Sequence, residues 1–302
     1  MYRTLVILRH TFIEAIVQPI YPLLLAIGAG ILVIFGLLPF FTLGEDSVMF
    51  KAVALDVVLL LVLISTLFAT SKSIYEEIED RTMLTLMSKP VSRWEVIVGK
   101  YLGIALSALM AVAILGAVML LATWWRIPTD YQLRANSLDD RELKQVLDMR
   151  LMHIAGLIPS LVLVWLQICV LAAVSVAIST RVSLVVNLPV VILLYIAGNL
   201  TRFLFPLSQG PLAGSGRITK GSAYVLSLLL PYLATFDLRQ RTVYSRIALK
   251  GTAFADDINA VALGEIWQYV GAAGLNAIAY SVFALSVGML LFSTRELGGA
   301  EG

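Results

Sequence analysis

Charge is scarce in this sequence. Lysine, arginine, aspartate and glutamate make up 14% of the 302 residues, where a soluble domain carries about 25%. With 59% of positions hydrophobic and a mean hydropathy of +0.90, the composition is that of a polytopic membrane protein. The one cysteine, Cys169, lies inside an apolar run and excludes both an intrachain disulfide and a cysteine metal cluster. Two histidines, His10 and His153, leave little material for a histidine site. A phosphate-binding loop is missing as well. The nearest stretch, Gly214 to Ser222, has its lysine before the glycine and no strand ahead of it. No His-Glu-x-x-His pair and no nucleophile-and-base set is present. Nothing here hydrolyses ATP or acts as an enzyme, so a nucleotide-driven protein of this sequence needs its engine on another polypeptide. A net charge of +2 without a dense basic tract gives no reason to expect nucleic acid.

What the sequence does have is long apolar runs. A bilayer core of roughly 30 Å takes about 20 apolar residues to cross as a helix. Six stretches qualify: 20 to 41, 52 to 70, 100 to 125, 154 to 180, 183 to 203 and 267 to 292. The fold class is therefore all-α, one membrane domain over 1–302 with six transmembrane helices. Residues 1–18 form an amphipathic helix, with Leu5, Leu8, Phe12 and Ile16 on one side and Arg3, His10, Glu14 and Gln18 on the other, suited to the membrane interface. Segment 221–236 is too short for a span and holds Pro231, and it reads as re-entrant or interfacial. The segments 126–153 and 204–266 share one side of the membrane. The first is expected to carry a soluble helix from Asn136 to Met152, with Ser137 as its cap. Lys and Arg fall nine on the side of the termini and thirteen on the other, so charge does not set the orientation.

Between the second and third spans lies the most polar stretch, Ser71 to Gly103. Acids at Glu76, Glu77, Glu79 and Asp80 end one helix. Thr82 can cap a short turn bearing Met83, Leu84, Leu86 and Met87, and Pro90 stops propagation. Ser92 restarts the helix in a capping box with Glu95, and Val91 can staple onto Val96. A short helix with an apolar face, bordered by acids on one side and by Lys89 and Arg93 on the other, has the form of a docking knob. An ordinary amphipathic loop on the membrane surface is the plainer alternative.

Glu79-Asp80-Arg81-Thr82, Leu84, Leu86-Met87, Lys89-Pro90-Val91-Ser92-Arg93 and Gly99-Lys100-Tyr101-Leu102-Gly103 resemble the ABC transporter permeases of the type-2 exporter class. The six-helix branch that includes the permease of nitrous-oxide reductase maturation is the most similar. Arg81 stands where that family usually has Gly. Arg9, Glu14 and Phe236-Asp237-Leu238-Arg239 add weaker support. The resemblance implies an export permease of the prokaryotic inner membrane, with both termini and segment 71–99 cytoplasmic. It also implies a dimer with a second permease copy and a cytoplasmic ABC ATPase subunit that carries the ATP and Mg. This chain has no cofactor of its own. Glu79, Asp80, Arg81, Thr82, Leu84, Met87, Pro90, Ser92 and Arg93 would make or position the ATPase contact.

Within the spans, Gly99, Gly103, Ser107 and Ala111 repeat every fourth residue, as do Ala273, Ala277 and Ser281, and Ala173 with Ala177. Small residues at this spacing let helices approach closely, inside one chain or between copies. The polar exceptions are Asp56, Gln167, Asn187, Asn199 and Asn276. The amides suit interhelical hydrogen bonds. Asp56, a turn or so inside its span, can reach the interface near Lys51, and it is also the one residue that could serve an ion-gradient-driven carrier. A third alternative is a permease-like subunit that transmits force to an outer partner and moves no solute.

Overall fold

The computed structural model describes residues 2–38, 46–80, 92–131, 139–204, 216, 221, 231–255 and 257–293. Its elements are α1 (Tyr2–Val17), α2 (Ile20–Leu37), α3 (Asp46–Thr70), α4 (Arg93–Asp130), α5 (Asp140–Ser179), α6 (Leu184–Leu204), α7 (Arg239–Thr242), β1 (Ile247–Ala248), β2 (Val261–Ala262) and α8 (Leu263–Ser293). Helices are what hydrocarbon permits, since each backbone donor and acceptor must be satisfied within the segment. Five of them are long and apolar enough to cross a membrane. The sixth expected span falls on the shorter apolar helix α6. The chain is an all-α polytopic membrane protein.

The helices of α4 and α5 run for 38 and 40 residues, about 60 Å at 1.5 Å per residue, twice the bilayer core. The excess of α5 precedes its expected span, over residues 140–153, at the end of the bundle here called the far end, whereas α4 extends past its expected span at both ends. The soluble helix expected at 136–152 is this overhang of α5, continuous with the span. Its N-cap is Asp139, whose carboxylate accepts the Arg141 N–H at 3.0 Å, while Ser137 lies outside the described residues. The near end carries α1, the ends of the 71–99 segment and the C-terminus of α8.

Helix α5 is the most buried of the long helices and α2 the least. Leu161 and Ile168 of α5 pack with Leu55, Val58 and Leu115 toward the far half. Ala172, Ala173 and Val176 pack with Ile97, Ile104 and Leu285 toward the near half. The small-residue line on α5 and α8 is a real seam: Cβ at Gly288 would lie 2.8 Å from the Ala177 Cα.

The line on α4 finds its partners inside the chain. A Cβ at Gly99 would lie 2.9 Å from the Ile7 Cγ2, and one at Gly103 would lie 2.7 Å from the Leu8 carbonyl and 2.8 Å from the Thr11 Cβ. The backbone of α1 is therefore seated in a glycine notch of α4. One helical turn on, the Tyr21 hydroxyl donates to the Ser107 carbonyl at 3.0 Å, and Ala111 is fully buried against the core around Leu55.

This seat also sets which face of α1 meets the rest of the chain. The residues it buries most are Thr11 and Ala15, while Leu5 is 61% exposed. A close backbone approach takes small side chains, so Leu5, Val6, Ile13 and Val17 turn outward, as an interfacial helix lying on lipid would have them, while Ile7, Leu8, Phe12 and Ile16 are half-buried beside the seat.

At the far end, Arg126 gathers the loose ends of the bundle. It is 5% exposed and donates to the Phe35 and Leu38 carbonyls at 2.9 and 2.8 Å, satisfying the C-terminus of α2. It also pairs with Asp130 at 2.8 Å and Asp46 at 3.5 Å. Beside it, Lys51 is buried, with its ammonium 2.8 Å from His153 Nδ1 and donating to the Val243 carbonyl at 3.1 Å. Lys51 thus has no part in placing Asp56.

Segment 231–262 is packed into the bundle at this end. Of the stretch expected to be re-entrant, residues 222–230 lie outside the described residues. Beyond it, Leu233–Phe236 is one 3₁₀ turn, and a Cβ at Gly198 of α6 would lie 2.7 Å from the Pro231 carbonyl. Gly156 of α5 faces the Thr242 carbonyl and the Ile247 side chain with no room for a Cβ, and Ser160 donates to Thr242 Oγ1 at 2.7 Å. The strands β1 and β2 form a two-residue parallel bridge that closes the loop 249–260. Asp148 holds that loop to α5 by accepting the Ala253 N–H at 3.0 Å. Within it, the Asn259 N–H first, then the Arg246 guanidinium at 3.2 Å, hold the Asp257 carboxyl below its ordinary value.

Candidate functional site

The near-end segment expected to dock a partner enters and leaves through two built anchors. On the entry side α3 loosens into a π-helical turn, Ser71–Glu76, before a last α-helical turn, Glu77–Glu79. Such widened turns recur at functional positions in helices. A polar chain steadies it from behind: Thr70 Oγ1 and Ser175 Oγ are 2.7 Å apart, and the Asn187 amide donates to Ser175 Oγ at 2.8 Å and Ser179 Oγ at 2.9 Å. Asn187 is wholly buried, which is the interhelical role expected of the amides.

On the exit side the Ser92 capping box is present as read from the sequence. Ser92 Oγ accepts the Glu95 N–H at 3.2 Å, and the Glu95 carboxylate accepts the Ser92 N–H at 3.0 Å. A cap of this kind contributes about 1 kcal/mol. Replacing Ser92 with Ala should lower stability by that amount, read in equilibrium unfolding in mixed micelles, and loosen the first turn of α4.

Lys100 joins the two anchors. It is 3% exposed, and its ammonium donates to the Ser73 carbonyl, to Ser73 Oγ at 3.1 Å and to Glu77 Oε1 at 2.6 Å. An ammonium with three protons and no acceptor of its own fits this three-oxygen cup. The sequence pointed to Gly99-Lys100 as a unit. The structure divides the work: glycine seats α1, and lysine clips α4 to the π-helical end of α3.

Of the residues expected at the docking site, Glu79 and Asp80 end the entry helix and are exposed. Ser92 and Arg93 begin the exit helix. Arg93 reaches across to α8, donating to the Ser293 carbonyl at 3.1 Å with its guanidinium 5.6 Å from the Phe292 ring centre. From the α5–α6 turn, Arg181 donates to the Leu291 carbonyl at 3.0 Å. Two arginines thus serve the carbonyl end of α8, where cations are favoured. Arg81, Thr82, Leu84, Met87 and Pro90 lie outside the described residues, as does the Val91 half of the expected staple.

A second polar site, at the far end, was only half legible. Asp56 pairs with Arg239 by two hydrogen bonds, one of them from Nη1 at 2.9 Å. This joins α3 to α7, with the Asp56 side chain 47% exposed at the far end. Among the described residues no group of three or more His, Cys, Asp and Glu side chains is placed to hold a metal ion.

The comparisons with known proteins agree with this architecture. The model of the family described as ABC-2 family transporter protein matches residues 34–297, nearly the whole bundle. The chain belongs to the ABC-2 transporter family. That makes it a membrane permease subunit of an ABC transporter, a kind of protein that works with an ABC ATPase subunit. A search of curated proteins finds no match.

Proposed function

We propose that this permease is an exporter that takes its power stroke through segment 71–99, in a dimer of permease chains docked on two cytoplasmic ATPase subunits. In this reading the near end is cytoplasmic, the membrane is the prokaryotic inner membrane, and ATP and Mg reside on the ATPase. The carrying observation is the Lys100 clip. It fixes the entry and exit of the docking segment to each other, so a push on the segment moves α3 and α4 together. Glycine-seated α1 and the Arg93 contact with α8 widen the moving body to most of the near end. Glu79, Asp80, Arg81, Thr82, Leu84 and Met87 would touch the ATPase, with Pro90 and Ser92 setting the angle of approach. A lone intramembrane carboxylate is what an ion-driven carrier would require, and the Asp56 pairing with Arg239 weighs against that use.

The first test is purification of the tagged chain in mild detergent with mass spectrometry of what accompanies it. A stoichiometric soluble subunit with a phosphate-binding loop is expected. Changing Leu84 and Met87 together to Asp should then cut recovery of that subunit at least tenfold while the permease still purifies as a folded species. A permease that repeatedly comes down alone, or a double variant that keeps its partner and its transport, would overturn the coupling assignment.

A further inference from the structure

At the near end, a cleft of about 510 Å³ opens between the second half of α1, the turn into α2 and the start of the π-helical turn that follows α3. His10 and Glu14 of α1, Gln18 just after it and Lys72 of the π-helical turn supply its polar side chains. Ile13 and Val17 supply its apolar rim. His10, Glu14 and Gln18 belong to the polar side of α1, yet Gln18 is only 6% exposed, and its Nε2 is buried with no hydrogen-bond partner among the described residues. Glu14 Oε2 is buried in the same condition. A buried donor and a buried carboxylate oxygen left unmet are costly, so both require a partner from outside the described residues.

The charges select among ligands. Glu14 and Lys72 border one cleft with opposite signs, and among the described residues neither is paired, with the other or elsewhere. A divalent cation would have the Lys72 ammonium beside it, and Glu14 with His10 is too small a set to hold it. An inorganic anion would stand beside the Glu14 carboxylate. A ligand carrying both charges answers both: an ammonium for Glu14, and a phosphate for Lys72 and the Gln18 amide. The rim selects further. Ile13 and Val17 belong to the outward apolar residues of α1, those placed to lie on lipid, so the cleft opens where headgroup and acyl chain meet.

We infer that this cleft binds the headgroup of a phospholipid bearing a primary amine, of the phosphatidylethanolamine type. Glu14 accepts from the ammonium, Gln18 Nε2 and Lys72 donate to the phosphate, and Ile13 and Val17 lie against the start of the acyl chains. The bound lipid ties α1 to the π-helical turn Ser71–Glu76, to which Lys72 belongs. The inference goes beyond the export reading and does not depend on which solute is carried. Binding is measured on the permease without its ATPase, so a failure here leaves partner recovery unaffected.

Three lipids with identical acyl chains make the test: phosphatidylethanolamine, phosphatidylcholine and phosphatidylglycerol, each titrated against the purified full chain after delipidation in detergent, with bound lipid counted by native mass spectrometry. Phosphatidylethanolamine should bind saturably and about tenfold more tightly than the other two, the gain expected from a charge-assisted hydrogen bond that only a primary ammonium donates. Glu14→Gln should bring it down to the level of phosphatidylcholine, and Lys72→Met should weaken both zwitterionic lipids alike. Each variant is first checked for the parent's unfolding midpoint without added lipid. Free O-phosphoethanolamine at the same concentration should not compete. No saturable binding, equal binding of all three lipids, a preference for phosphatidylglycerol, phosphatidylethanolamine binding unaltered in both variants, or competition by O-phosphoethanolamine would overturn the assignment.

Discussion

Lys100→Met should unfold this protein about 3 kcal/mol more easily and abolish transport, even at temperatures where the variant remains folded. The size follows from what is left behind. Removing one partner of a buried ion pair strands the other, at roughly 3–5 kcal/mol. Glu77 is 24% exposed and has a further partner, so part of that is recovered. The double variant Lys100→Met, Glu77→Gln removes the charge that faced Lys100 and should regain part of the stability. It should not regain transport, because the link between α3 and α4 is still gone. Equilibrium unfolding in mixed micelles gives the first quantity, and ATP-dependent flux in vesicles holding the complete complex gives the second. Full transport by a stable double variant would show that the clip serves the fold alone.

Gly156→Val should unseat the far-end segment. The glycine of α5 has the Thr242 carbonyl against it, which is backbone, and the Ile247 methyl, the end of a side chain that is 1% exposed and has little room to swing clear. Overpacking a site of this kind costs about 1–3 kcal/mol. The displaced residues also carry the Ser160 bond to Thr242 and the Arg239 bonds to Asp56. Limited trypsin digestion should then cut at Arg239, Arg241, Arg246 or Lys250 at least tenfold faster than in the parent. Gly264→Ala makes the control, since a Cβ there meets nothing within 4 Å. Unchanged digestion of Gly156→Val would mean that α5 gives way instead of the segment.

The spans were readable because hydrocarbon imposes one rule on every residue that crosses it, and the capping box was readable because Ser92 and Glu95 are three residues apart. Which face of α1 packs on protein was not. Leu5 is equally at home against lipid and against leucine, so hydropathy cannot rank the two. The four-residue spacing from Gly99 to Ala111 announced a close contact without naming the other helix. Asp56 and Arg239 are 183 residues apart, and no local pattern joins them. Lys100 was visible as half of a Gly-Lys pair. Its role depends on a π-helical turn that places Ser73 and Glu77 around one ammonium, a geometry that only the folded backbone supplies.

The seating of α1 on Gly99 and Gly103 has a consequence for how the chain is made. Helix α1 leaves the ribosome ahead of α4, and the notch that receives it follows some 90 residues later, which at about 5–20 residues per second is a wait of roughly 5–20 s. During that interval its outward apolar residues can rest on the bilayer surface. The outward Leu5, placed to lie on lipid in the finished protein, would give the newborn helix the same hold on the membrane before its dock emerges.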